Sequence, residues 1–336
     1  MAALAFWRGC CMSADVDVLI PAYNCARFLE AAVDSTLAGN SCRSRVVIVD
    51  DGSRDDTVAC AKRLAIQHRN IEIVENERNM GIITSLNRGL AACTAPFVAR
   101  MDGDDICLPG RLDAQLAAMK RESAAVCGTS MDFFGAKSGR WLCPPDYAYR
   151  ATLLFRPAFG HSTAMLDRQW LAARLLDYPA HLYCEDYALW IVMELVGARA
   201  TLLQTSWLRY RVHAQSTSSS NSRRQIVNAC ETSFGLWEKL GMVPSPQIRR
   251  TLVACHSDSP PLLNDLQEAL VAMHRLLSPA LDSLWARAEF VRFCAVFLIV
   301  HPARLNRRQI AAFLGRLEGG GLLSYAWRRF VLDDRY

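Results

Sequence analysis

The sequence predicts an α/β protein: a mixed, mainly parallel sheet flanked by helices, followed by an all-α C-terminal extension. Three observations carry that prediction. Short β-rich runs alternate with runs of helical period through the first hundred residues, polar residues collect where the β-rich runs end, and beyond about residue 222 the periodicity is helical throughout. At 336 residues, 51% of them hydrophobic, the chain has room for one large unit and a smaller helical one.

Taken in order, "VDVLI" (Val16 to Ile20), "RVVIVD" (Arg45 to Asp50), "IEIV" (Ile71 to Val74) and "FVARM" (Phe97 to Met101) are strand-length and rich in β-branched residues. Between them, "ARFLEAAVDSTL", "DDTVACAKRLAIQH" and "ITSLNRGLAAC" place apolar residues three and four apart, as amphipathic helices do. This alternation implies right-handed βαβ units, and such sheets bind ligands beyond the carboxyl ends of their strands. The polar stretches "PAYN", "DDGSRDDT", "ENERNMG" and "DGDD" lie at those ends. From Ala124 to about Val212 the pattern is mixed, with further strands expected at "SAAVCG", "STAML", "ATLLQT" and "WLRYRV". The Ser-rich "AQSTSSSNSRR" (Ala214 to Arg224) is the expected boundary, giving a lead over 1–15, an α/β unit over 16–221 and a helical region over 222–336.

Composition excludes several classes. The thirteen cysteines are scattered, mostly in apolar contexts, with no CxxC pair and no zinc-like Cys/His spacing, which points to buried thiols in a reducing cytoplasm. The first residues have too short an apolar run for a signal peptide, and Met12 is an alternative start. The longest uncharged apolar run, Phe293 to Val300, falls far short of the ~20 residues that cross a bilayer. Residues 1–221 hold 23 basic and 23 acidic side chains and residues 222–336 hold 15 and 10, so the net +5 lies in the last third. That excess is either the solvated faces of helices or a surface that leans on anionic lipid.

Chemistry concentrates in "ARMDGDDICLPGRL". Asp102, Asp104 and Asp105 crowd the end of the fourth strand, and like charges so close are costly unless a cation sits among them. Carboxylate oxygens suit Mg²⁺ or Mn²⁺, and Gly103 between them allows close approach. Read alone, the same residues could be an Asp-rich turn capping the helix after Pro109. A second acidic pair, Glu185 and Asp186 in "LYCEDYALWIVMEL", opens an apolar helical run, where it could serve as a helix cap or supply a proton acceptor.

Four motifs in order, "VLIPAYN", "VIVDDGSRDDT", "NMGIITSLNRGLA" and "ARMDGDDICLPGRL", resemble the family-2 glycosyltransferases of the GT-A (Rossmann-like) fold, over about Val16 to His213. The resemblance implies that Pro21, Ala22, Tyr23 and Asn24 form the first nucleotide-binding loop, with Tyr23 along the base. Asp51 matches the carboxylate that bonds the base; Asn79, Gly81 and Asn87 lie where such enzymes close around the nucleotide. Asp102, with Gly103, is expected toward the ribose or donor sugar and Asp104 on the metal bridging the diphosphate, while Asp105 is expected to be structural. Asp186 matches the general base of the "ED" motif, with Glu185 orienting it or touching the acceptor. In "RYRVH", His213 is a third metal ligand or a diphosphate clamp, and Arg211 lends charge. His161 matches a histidine lining the acceptor side, and the Ser-rich loop is expected to order over bound nucleotide.

The implied enzyme is an inverting hexosyltransferase dependent on Mn²⁺ or Mg²⁺. It moves one sugar from a nucleotide-sugar, UDP being the favoured carrier, to a saccharide or lipid-linked acceptor in cell-surface glycan synthesis. The "QxxRW" motif and membrane spans of processive synthases do not occur here, so single additions are expected. A polyprenyl-phosphate sugar transferase and a non-catalytic sugar-nucleotide-binding module are the alternatives. A nucleotidyltransferase would carry a Gly-rich loop where "PAYNCARF" has none. No nucleic-acid partner is expected. The basic tail, including "VRFCAVFLIVHPARLNRR" and "YAWRRFVL", suggests either peripheral contact with the inner leaflet or packing on the catalytic unit or a twin subunit.

Overall fold

The computed structural model describes residues 14–181, 183–213, 222–255, 260–300 and 306–318. The Ser-rich segment over 214–221, most of the N-terminal lead and the basic stretch "YAWRRFVL" lie outside them.

Alternate residues of β1 (Val16–Ala22) feed two cores, because successive side chains of a strand point to opposite faces. Leu19 joins the core that also takes in the C-terminal helices; Val18 and Ile20 join the one under the first helices. All seven residues of β1 are buried, as befits a central parallel strand covered on both sides. Helices α1 (Ala26–Leu37), α2 (Thr57–Gln67) and α3 (Ile82–Ala92) connect β1 to β2 (Ser44–Asp50), β3 (Ile71–Glu75) and β4 (Phe97–Arg100). These four strands pair in parallel, in the order β3-β2-β1-β4. Their expected positions hold to within two residues.

Beyond β4 the sheet becomes mixed. After β5 (Ile106–Cys107) and α4 (Arg111–Glu122) come β6 (Val126–Gly135), β7 (Gly139–Trp141), α5 (Tyr149–Leu153), β8 (Met165–Asp167), α6 (Arg168–Ala172), α7 (Glu185–Leu195) and β9 (Ala200–Val212). The sheet continues β4-β8-β6-β9-β5, with β8 antiparallel to β4 and β6, β9 parallel to β6, and β7 on β6. This is the mixed, mainly parallel sheet the sequence predicts.

Three details differ from expectation. "ATLLQT" and "WLRYRV" are one strand, β9, because a bulge absorbs the break: Leu203 pairs with Thr129 and Ser206 with Ser130, skipping two residues. "STAML" gives only the short β8, since His161–Thr163 coil into a single 3₁₀ turn. β5 and β7 are too short to show a period.

The C-terminal helices are α8 (Ser222–Lys239), α9 (Pro246–Ala254), α10 (Leu263–Leu277), α11 (Leu284–Val300) and α12 (Arg307–Glu318). They bury Phe234, Trp237 and Phe290 in the same core as Leu153, Phe155 and Tyr187. The Trp237 indole donates to the Leu154 carbonyl at 2.8 Å, and Arg156 forms a 2.9 Å ion pair with Glu289. No helix among the described residues is long and apolar enough to cross a membrane, and no disulfide joins the described cysteines.

Candidate active site

The loops after β1, β2 and β3 are stitched to one another by short polar side chains. Asn24, in a left-handed conformation (φ 49°) that asparagine tolerates, accepts from the Arg54 N–H at 2.8 Å while its own N–H donates to Ser53 at 3.0 Å. Asp50 turns the chain by accepting from the N–H groups of Gly52 and Ser53. Gly52 has φ +69°, and a Cβ there would lie 2.4 Å from the Arg78 backbone, so only glycine lets these loops meet. Asp51 is buried. Its carboxylate accepts from the N–H groups of Met80 (2.8 Å) and Gly81 (2.9 Å) and from the Asn76 amide (2.7 Å), fixing the loop that carries Asn79 and Gly81. Tyr23, 44% exposed beyond Pro21 and Ala22 at the end of β1, is available to a flat ligand.

The acidic turn sits beside that loop set. Gly103 lies against Cys25, whose sulfur would be 2.9 Å from an added Cβ. Oxygens of Asp102, Asp104 and Asp105 all come within 4.8 Å of one another. Burial first, then the charge of Asp102, raises the Asp104 carboxyl, while Asp105 is pushed well up by burial and by both neighbours. Asp105 also accepts from the Arg211 N–H at 2.8 Å, yet its second oxygen is buried with no partner. Clustered, partly desolvated carboxylates with an unsatisfied buried oxygen fit a hard divalent cation. His213 stands on Asp104, Nε2 to Oδ2 at 2.9 Å. Arg211 donates to the Asp104 carbonyl at 2.7 Å, its guanidinium held between the rings of Phe28 and Phe134.

The second acidic pair opens α7, where the helix dipole favours negative charge. Asp186 accepts from the Tyr187 N–H at 2.7 Å. Burial first, then the charge of Asp186, pushes the Glu185 carboxyl up to about 7, and its Oε2 is buried without a partner. Burial raises Asp186 as well. The charge of Arg100 opposes these rises at both carboxyls, while the charge of Asp102 adds to them.

Three contributors were not singled out from the sequence. Arg100, at the end of β4, is 5% exposed and 2.6 Å from Asp102. Ser162 accepts from the Asp102 N–H at 2.9 Å. The Tyr178 hydroxyl meets His161 Nε2 at 2.8 Å, and burial, then the Arg100 charge, holds that imidazole well below its ordinary value and so neutral. Asn87, expected near nucleotide, exchanges two hydrogen bonds (2.9 and 2.8 Å) with the Tyr178 backbone. One signal was legible: an arginine inside an apolar strand, just before three aspartates, is a buried cation in need of counter-charge.

Residues 17–172 match the model of "Glycosyl transferase family 2". The "Putative glycosyltransferase EpsE" of Bacillus subtilis (strain 168) is 30% identical over 222 residues, 64% of this chain and 79% of its own. The chain belongs to the family-2 glycosyltransferases. The UDP-Glc:alpha-D-GlcNAc-diphosphoundecaprenol beta-1,3-glucosyltransferase WfaP of Escherichia coli is 29% identical over 217 residues, 63% of this enzyme and 82% of that one. Among solved structures, S. aureus TarS 1–349 in complex with UDP-GlcNAc superposes with a TM-score of 0.56 at 15% identity, over 93% of this enzyme and 89% of that chain. At that identity the likeness speaks for the GT-A fold of this glycosyltransferase.

Proposed function

We propose that this glycosyltransferase adds one sugar, with inversion at the anomeric carbon, from a UDP-sugar to the saccharide of a lipid-linked acceptor in surface polysaccharide synthesis. The carrying observation is the Asp102–Asp104–Asp105 cluster at the end of β4, its oxygens within 4.8 Å of one another and Asp102 held by Arg100, together with the Glu185–Asp186 pair in the first turn of α7. Transfer needs those two functions side by side: a place for a diphosphate to depart and a carboxylate to take the acceptor proton. WfaP, named for UDP-Glc and a diphosphoundecaprenol acceptor, and the UDP-GlcNAc complex of TarS support the choice of carrier and acceptor class.

Tyr23, Asp51, Asn79 and Gly81 form the nucleotide side, and Asp102 with Gly103 faces the ribose or donor sugar. Asp102 and Asp104 would hold Mn²⁺ or Mg²⁺, with Asp105 and His213 close behind. The bound ion supplies neutralisation of the charge that grows on the leaving diphosphate. Asp186 takes the proton of the acceptor hydroxyl, and Glu185, poised by burial, orients that hydroxyl. A carboxylate acting directly on the acceptor makes a single displacement, hence inversion. The basic excess of residues 222–336 favours work at an anionic cytoplasmic membrane face, where a lipid-linked acceptor would be met.

Asp186→Asn is expected to lose transfer by at least about a hundredfold while binding UDP within about twofold of the parent. Asp104→Ala is expected to weaken Mn²⁺-dependent UDP binding itself. Calorimetric titration with UDP and Mn²⁺, beside turnover with a lipid-linked saccharide, separates the two; full turnover by either variant contradicts the assignment.

A further inference from the structure

We propose that Arg100 is a positioning residue shared by both halves of the site, holding Asp102 on the donor side and facing the Glu185–Asp186 pair on the acceptor side. The inference rests on the proposed transfer reaction only for the roles of those carboxylates. Arg100 closes β4, the strand that ends in the acidic turn, and its backbone is fixed from two directions. Its N–H donates to the Ala164 carbonyl at 2.8 Å, and its carbonyl accepts from the buried Arg111 at 2.9 Å. Within that frame Nη2 reaches Asp102 Oδ1 at 2.6 Å. Nε and Nη1 are buried and have no protein partner. Unpaired guanidinium N–H groups are expensive to bury, so the arrangement persists only if their charge is used.

Its use lies on the other side of the site. His161 opens the 3₁₀ turn that leads into Ala164, the residue bonded to the Arg100 N–H, and its ring lies 6.2 Å from that of Trp190 on α7, the helix whose first turn carries Glu185 and Asp186. Glu185 Oε2 is also buried and unpaired, an acceptor matching the orphaned donors of Arg100 in sign. Arg111, the neighbouring buried arginine, bonds Gln115 and the Arg100 carbonyl and leaves only its Nη1 without a partner, where Arg100 leaves both Nε and Nη1. Arg100 is thus bonded directly to Asp102, and its charge lowers the carboxyls of both Glu185 and Asp186. Without it Asp102 would lose its anchor and the base pair its counter-charge.

Two readouts test this. In double-mutant cycles followed by thermal unfolding, the loss caused by Arg100→Met should shrink by at least about 2 °C in an Asp102→Asn background, and separately in a Glu185→Gln background. With UDP-glucose and Mn²⁺ as the probe, Arg100→Met should lower UDP release at saturating donor by about a hundredfold beyond any change in donor KM, and Arg100→Lys should recover most of it. Coupling to Asp102 but not Glu185, or Arg100→Lys no better than Arg100→Met in unfolding and turnover alike, overturns the inference. Full turnover by Asp186→Asn would instead overturn the transfer reading and leave the thermal cycles standing.

Discussion

At the scale of one residue, Glu185 illustrates how a site stores instability. The residue is 9% exposed in the first turn of α7, and burial with the Asp186 charge raises its carboxyl to about 7 from an ordinary value of 4.5. Because the folded value lies above the unfolded one, the protonated form favours the fold. That contribution is full below the unfolded value and is lost as pH rises through about 7. Glu185→Gln removes the ionisation and keeps the shape. The variant and the parent should therefore melt together at about pH 4, below the unfolded value, in a buffered thermal scan. At pH 8 the variant should be more stable, by at most about 3 kcal/mol. Coincident curves at both pH values would mean that the carboxyl is not perturbed.

At the scale of elements, what could be read in the sequence depended on how local the deciding physics is. α1 is expected from "ARFLEAAVDSTL" and is found over the same residues, because its apolar spacing lies within one turn-periodic run. The acidic turn and the "ED" pair were legible for the same reason: each sits at the end of a strongly patterned element. β9 was not legible as one strand, since its bulge is defined by pairing with β6, some seventy residues away. Arg100 and Tyr178 were missed because their meaning depends on what the fold brings opposite them. Asn87 belongs to both cases. Its motif points to nucleotide, whereas its amide clamps the Tyr178 backbone from α3 and so fixes the hydroxyl that meets His161. Asn87→Ala leaves two partly buried backbone groups unpaired, a cost of about 1–3 kcal/mol. It should lower acceptor-dependent turnover while UDP affinity stays within about twofold, as checked by titration beside the transfer assay. The reverse split would put Asn87 at the nucleotide.

At the scale of the whole molecule, the helical tail and the catalytic sheet share one core, which bears on whether the tail is an appendage. Tyr187, next to Asp186 on α7, bonds both the Leu153 carbonyl (2.6 Å) and Ser233 of α8 (3.0 Å), so α7 is backed by the tail. The Arg156–Glu289 pair fastens α11 to the loop after α5 in the same region. Burial pushes the Glu289 carboxyl up, but the charges of Arg156 and Arg292 and the Arg156 hydrogen bond outweigh it, so the net shift is downward. A lowered folded value means that this stabilisation is present above the unfolded value and fades as pH falls through the folded one. Glu289→Gln strips the counter-charge from the part-buried Arg156, a change of at most about 3 kcal/mol. If tail and sheet unfold as one body, denaturant titration at pH 7 should shift a single transition as a whole, and the gap from the parent should narrow below about pH 4. A second, separately moving transition would instead mark the tail as an independent unit, and only then could it be removed after Ser222 without uncovering Leu153, Phe155 and Tyr187.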